Sequence, residues 1–354
     1  MKGVVLMLAA SLVLGSEIWP QAAPPAPLAG FSFSPLTSEY AERDPSQDLK
    51  LLLDTTNPDL VRLPIYWEEV APAPDRLDYN SVDRLLAVVT AHNQTSRTTT
   101  RVVLTIGARN FLYPELHEPL WAGPRRQPDL GQAQGGTAYR AYFDTSIRRY
   151  RSSPLLYAWQ VENEPLDYVT NALTGADQIA PAQLAWEMDE VHLLDPQHEA
   201  MITTYDGMNV TIDMLQLWVP QLLARFGPDG HPAAALQTAD ALGLDLYIDG
   251  PNVALRRLTS IDLREEWKQQ AIGFWADRAR SQGKDLWLAE MQAQPWGDSS
   301  TFSPDDLIES AIDYGQEPVQ VVLMWGVDTW LNDPDWLAAG NQAMDILRAG
   351  QSPL

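Results

Sequence analysis

The sequence predicts an α/β protein, a single-domain (β/α)8 barrel with lengthened βα loops. Short apolar runs rich in β-formers alternate with amphipathic helical patterns, which argues for parallel β/α units rather than a sandwich or a bundle. Eight such units can be counted, over roughly 325 residues where a bare barrel needs about 250. Several of the candidate strands are continuous apolar runs, as parallel strands buried on both faces should be. A doubly wound sheet is the alternative architecture.

In chain order, the candidate strands are Gly30 to Ser34, Leu60 to Trp67, Arg101 to Gly107, Leu155 to Glu162, Ala200 to Tyr205, Ala239 to Tyr247, Asp285 to Glu290 and Val319 to Gly326. Helices are expected between them over Ser46 to Asp54, Ser81 to His92, Thr137 to Arg151, Pro181 to Leu194, Thr211 to Phe226, Leu263 to Gln282, Pro304 to Tyr314 and Asp335 to Leu347. In the second of these, Val82, Leu85, Leu86 and Val89 share the face that would pack on a sheet. In the seventh, Ser303 is suited to cap the helix. Pro304 presets the first helical φ, and Asp305 and Asp306 favour the positive end of the dipole. The longest irregular connection, Ala108 to Gly136, follows the third strand and so lies on the face where barrel enzymes carry their sites.

The N-terminus reads differently. Met1-Lys2 precedes an apolar run, Gly3 to Gly15, too short to span a bilayer and of the length of a signal-peptide core. Residues 1–16 are therefore expected to be a signal peptide, 17–28 a Pro/Ala-rich linker and 29–354 the barrel, in an exported protein, secreted or at the cell surface. No stable membrane insertion is expected once the signal is removed, and a monomer is expected.

Composition narrows the chemistry. There are 24 Lys and Arg against 47 Asp and Glu, a net charge of −23, so the long-range field repels phosphate backbones and a nucleic-acid partner is excluded. The chain has no cysteine, which removes disulfides, thiolate metal sites and thiol nucleophiles. No phosphate-binding glycine loop, nucleophile elbow or His-Glu-x-x-His motif occurs. His192 and His198 around Asp195, and Asn332, Asp333 and Asp335, lack the spacing of a metal site, so neither a metal nor a cofactor is expected.

Two segments carry the chemistry. Tyr157 to Val161 is an apolar strand running into Glu162-Asn163-Glu164-Pro165, and Leu286 to Ala289 is another that ends on Glu290. Pro165 stops the ladder, which sets Glu164 at the carboxyl end of strand four; Glu290 ends strand seven. Two carboxyls facing each other across a barrel mouth are what glycoside hydrolysis requires. One protonates the leaving oxygen while the other attacks the anomeric carbon or activates water, and a separation of about 5–5.5 Å selects the retaining route. Glu162 competes with Glu164 for the acid role, since residues two apart on a strand share a face. Trp67 and Trp296 lie in expected βα loops, where an indole can stack on a pyranose.

These residues resemble the retaining glycoside hydrolases of clan A, particularly the cellulase-like members of glycoside hydrolase family five and its relatives, from about Gly30 to Leu347. The resemblance implies Glu164 as acid/base and Glu290 as nucleophile. It further implies that Arg62, in Val61-Arg62-Leu63-Pro64, bonds the nucleophile and holds it ionised, and that Asn163 bonds the sugar 2-hydroxyl. Tyr247 would contact the nucleophile, and Trp325, in Met324-Trp325-Gly326, would floor the subsite of the cleaved sugar. Strand three departs from the family by ending Thr105-Ile106-Gly107-Ala108-Arg109-Asn110 without a histidine. Arg109 and Asn110 are the candidates for hydrogen-bonding sugar there.

The sequence reading is thus a retaining β-glycoside hydrolase acting, endo or exo, on a β-linked glucan, mannan or related oligosaccharide. A transglycosidase using the same site and a non-catalytic carbohydrate-binding barrel are the alternatives.

Overall fold

Eight parallel strands, each hydrogen-bonded to the next and the eighth to the first, form a closed barrel in chain order. The structure, a computed structural model, describes residues 25–112, 115–122, 136–166, 179–205, 231–247, 266–295 and 300–350. The strands are β1 (Leu28–Ser32), β2 (Leu60–Pro64), β3 (Arg101–Ile106), β4 (Leu156–Val161), β5 (Glu199–Tyr205), β6 (Ala241–Leu246), β7 (Asp285–Gln292) and β8 (Val321–Trp325). The described helices are α1 (Pro35–Tyr40), α2 (Pro45–Thr56), α3 (Trp67–Val70), α4 (Asn80–Thr95), α5 (Gly136–Tyr150), α6 (Pro181–Leu194), α7 (His231–Thr238), α8 (Glu266–Ser281), α9 (Pro304–Tyr314) and α10 (Pro334–Ala349). The expected signal peptide, most of the expected linker and the helix expected at Thr211 to Phe226 lie outside the described residues.

Local chemistry accounts for where helices begin. Asp44 accepts hydrogen bonds from the N–H groups of Ser46 and Gln47 with Pro45 behind it, and Ser303 with Asp306 forms a reciprocal capping box at α9. Asp333, considered above as a cation ligand, instead caps α10 through the N–H of Asp335 (2.9 Å), and Asn332 accepts from Arg43 (2.9 Å). Helix α4 buries Val82, Leu85, Leu86 and Val89, the face its spacing predicts. The helices α1, α3 and α7 were not expected, because four to eight residues show too little of a 3.6-residue period to read. No helix among the described residues is long and apolar enough to cross a membrane.

Strand alternation divides the apolar core in two. Outward residues such as Phe31, Leu104, Trp159 and Leu288 pack under the helices. Inward residues Leu60, Val103, Ala158, Met201, Trp287 and Leu323 fill the barrel. The bulk of that filling is the Trp287 indole, stacked on Tyr157 (5.7 Å, 29°), which in turn lies under the Arg101 guanidinium (4.3 Å). The register partner of Trp287, Gly243, has no room for a side chain: a Cβ there would sit 2.6 Å from Met201 Sδ and 2.9 Å from Ala289 Cβ. Two residues further along the strands the inward side chains turn polar, with Ser32, Arg62, Thr105, Gln160, Thr203 and Asp245 all buried. This polar layer is the base of the mouth.

Candidate active site

Arg62 extends from β2 into the polar layer and is fully buried. Its guanidinium spends each nitrogen on a different strand: Nε donates to Ser32 Oγ (2.8 Å), Nη1 to Gln160 Oε1 (2.8 Å) and Nη2 to Glu290 Oε1 (2.6 Å). The Phe111 ring covers the guanidinium carbon at 4.3 Å. A buried ion pair of this kind is stable only where geometry is good and other hydrogen bonds satisfy the remaining donors, a condition met here.

Glu290 reaches this pair because β7 is irregular. The β6–β7 register pairs Leu244 with Leu288 but Asp245 with Glu290, so Ala289 is an extra residue in the ladder. Strict alternation from inward Trp287 would turn Glu290 outward; the bulge restores it to the inner face, a common use of bulges beside functional sites. Its second oxygen, Oε2, accepts from the Tyr247 hydroxyl. Tyr247 follows β6 directly and is buried. Burial first, then the negative charges of Glu290, Asp245 and Glu164, hold its phenol well above the ordinary tyrosine range, so it remains a donor. The Trp325 ring meets Tyr247 edge-on (6.0 Å, 89°) and is partly exposed.

The other carboxyl comes from a tight turn. Strand β4 stops at Val161, and Glu162 and Glu164 both adopt left-handed backbone conformations, φ 60° and 45°. This corrects the expectation that they share a face. Glu162 turns into the wall, where its carboxylate accepts from the N–H groups of Ala108 (3.0 Å) and Arg109 (2.5 Å) and from Tyr139 (3.1 Å). Gly107 has no side chain to obstruct it; a Cβ there would lie 2.5 Å from the Glu162 carboxyl carbon. Glu164 remains for the mouth, 6% exposed, with its N–H on Thr203 Oγ1 (2.9 Å). Between them, Asn163 Oδ1 accepts from Gln160 Nε2 (2.9 Å) and Thr203 Oγ1 (3.4 Å), and the Asn163 carbonyl accepts from Arg109 Nε (2.8 Å).

Arg62, Asn163, Glu164, Tyr247, Glu290 and Trp325 therefore converge. Trp67 does not join them: it is fully buried below α3 among Trp121, Tyr139 and Tyr142, with ring centroids at 5.9, 4.9 and 6.1 Å, so its faces are occupied by protein. Trp296 lies outside the described residues. Arg109 and Asn110 are buried and bonded to protein atoms, bracing the β3 exit. Sequence reasoning missed Gln160, Thr203, Ser32 and Phe111. The available signal was period two, since each of the first three lies two residues beyond an inward apolar or glycine position. Among the described residues no group of three or more acidic or histidine side chains could hold a metal ion.

Comparison with solved structures decides the architecture. A GH5_18 protein from Streptomyces cattleya, in complex with GlcNAc, superposes with a TM-score of 0.67 over 94% of this chain and 82% of that one at 16% identity. The chain has the fold of the family-five glycoside hydrolases. A variant of the same Streptomyces protein, in complex with Manβ1-4GlcNAc, gives 0.64 at 16% identity over 93% of this chain and 82% of that one. An exo-β-1,4-mannosidase from Opitutaceae bacterium strain TAV5 gives 0.57 at 13% identity over 92% and 60%. In sequence, a probable mannan endo-1,4-β-mannosidase C from Aspergillus terreus is 35% identical over 83 residues, 22% of this chain and 20% of that protein. The match thus spans about a fifth of that relative's length. No family model matches the chain.

Proposed function

We propose that the protein is a retaining β-glycoside hydrolase acting on β-mannosides, with Glu290 as nucleophile and Glu164 as acid/base. The observation that carries this reading is the Glu290 carboxylate, held on one oxygen by Arg62 and on the other by Tyr247, whose hydroxyl also feels the charge of Glu164 from the turn after β4. In the first step a Glu290 oxygen bonds to the anomeric carbon as the glycosidic bond breaks, and Glu164 gives its proton to the departing oxygen. In the second, Glu164 takes a proton from water, whose oxygen displaces Glu290 and returns the anomeric centre to its starting configuration. Asn163 has Oδ1 bonded inward, so Nδ2 is the end that donates to the sugar 2-hydroxyl. Trp325 supplies an apolar face beside it. The mannoside preference is supported by the mannosidase and mannanase among the similar proteins, and the complex of a structural neighbour with Manβ1-4GlcNAc supports an oligosaccharide ligand. Export of the enzyme is proposed from the apolar run at residues 3–15.

The test is hydrolysis of aryl β-glycosides and β-linked oligosaccharides by the protein and by Glu290→Ala, with and without azide. Loss of activity, partly restored as a glycosyl azide of inverted configuration, supports the assignment. A folded protein that cleaves no glycoside, yet binds sugars with an affinity that Glu290→Gln leaves unchanged, would sink it in favour of a binding barrel.

A further inference from the structure

Behind the turn that carries Glu164, two further acidic side chains meet inside the protein. Glu162 and Glu187 are both 0% exposed. Glu187 projects from α6, where its Oε1 lies 2.5 Å from the Tyr139 hydroxyl and accepts from Gln183 Nε2 (2.7 Å). The same Tyr139 hydroxyl lies 3.1 Å from Glu162 Oε1. The phenol has one hydrogen for these two contacts and ionised carboxylates have none, so the second contact needs a proton supplied by one of the acids. Glu162 already accepts two backbone N–H bonds, which favour its ionised form. The hydrogen therefore belongs on Glu187.

We propose that Glu162 and Glu187 share one proton and act together as positioning residues for the turn that presents Glu164. Glu162 clamps that turn to the β3 exit through the Ala108 and Arg109 amides, and Glu187 holds Glu162 through the Tyr139 hydroxyl without adding a second charge. The clamp has a load to bear. Left-handed conformations at Glu162 and Glu164 persist only where the surroundings over-determine them. The groups facing the pair are Tyr139 and Tyr142 from α5, Gln183 from α6 itself and the β3 exit with Arg109, whose guanidinium is turned to the Asn163 carbonyl and to Glu115. Burial and then the Glu162 charge push the Glu187 carboxyl well above the ordinary glutamate range, in agreement with the hydrogen count.

The role of the turn in catalysis rests on the proposed glycosidase reading, so the test uses readouts that need no activity. In infrared spectra at about pH 8, where ordinary carboxyls are ionised, the protein should show an un-ionised carboxyl absorption that Glu187→Gln lacks. In Glu187→Leu the amides of residues 107–109 and 162–165 should exchange on the order of tenfold faster, and Glu187→Gln, which can still donate to the Tyr139 hydroxyl, should restore most of the protection. With a glycoside substrate, Glu187→Leu should lose on the order of tenfold to a hundredfold in kcat with less change in KM. No carboxyl absorption, or one that survives in Glu187→Gln, overturns the shared proton. Unchanged exchange in a folded Glu187→Leu overturns the positioning role whether or not the protein hydrolyses glycosides.

Discussion

Replacing Arg62 by Met tests the central contact of the site. The substitution keeps an apolar stem of similar length but removes all three donors, leaving Glu290, 2% exposed, with Tyr247 as its described donor, and leaving Ser32 and Gln160 facing a thioether. Breaking a buried ion pair by deleting one partner costs about 3–5 kcal/mol, because the survivor is a buried charge without compensation. Unfolding entropy of about 2.1 cal/mol/K per residue, over roughly 330 residues, gives about 0.7 kcal/mol/K, so Tm should fall by roughly 4–7 °C. The decisive arm is the double variant. Glu290→Gln removes the charge that Arg62 leaves stranded, so Arg62→Met with Glu290→Gln should be clearly more stable than the two single losses added together. Calorimetry on the four proteins measures the difference. Additive losses within about 0.5 kcal/mol would mean that the two residues do not interact energetically, and the account of the site's base would fail.

Two further outcomes are expected. Gln160→Met removes the nearer of the two donors to Asn163 Oδ1, so with a sugar 2-hydroxyl read by Asn163 it should lower kcat on an aryl β-mannoside by about tenfold or more, while a 2-deoxy analogue should lose much less; equal losses on both substrates would count against that role. Trp67→Leu should lower Tm, by an amount equivalent to about 2 kcal/mol or more for a lost buried aromatic, and leave KM within about twofold, because the ring packs among Trp121, Tyr139 and Tyr142; an increase in KM at an unchanged Tm would return the ring to the substrate.

The barrel was legible because its signals are periodic and numerous: eight apolar runs, helix caps such as Ser303, and amphipathic faces such as that of α4. The contact of Arg62 and Tyr247 with Glu290 could be anticipated only through family resemblance, since strand number gives a residue's height in the barrel and not its partner. Two features had no local sequence signal. One is the bulge at Ala289, where alanine is compatible with ladder and bulge alike and only the paired β6 register reveals the extra residue. The other is the pair of left-handed residues at Glu162 and Glu164, a conformation that glutamate disfavours and that tertiary contacts from Ala108, Arg109, Tyr139 and Thr203 impose. Trp67 misled for a related reason: a tryptophan just past a strand looks like a rim residue until the short α3 turns it beneath the loop.

The Trp287 plug has a bearing on how such a barrel can change over time. One indole occupies space that many barrels divide among several branched side chains; it shares the interior with Ala158, Ala241 and Ala289 and pairs in register with Gly243. Enlarging Gly243 alone forces a clash with Met201 and Ala289, and shrinking the indole alone opens a hole. Substitutions in the interior are therefore viable mainly as matched exchanges, a tryptophan traded for growth at two or three facing positions. Ala289 is also the bulge residue beside Glu290. A lineage that repacked its interior at that position would do so at the residue whose extra place in the ladder turns Glu290 inward, so the filling of the barrel and the chemistry at its mouth meet at one residue.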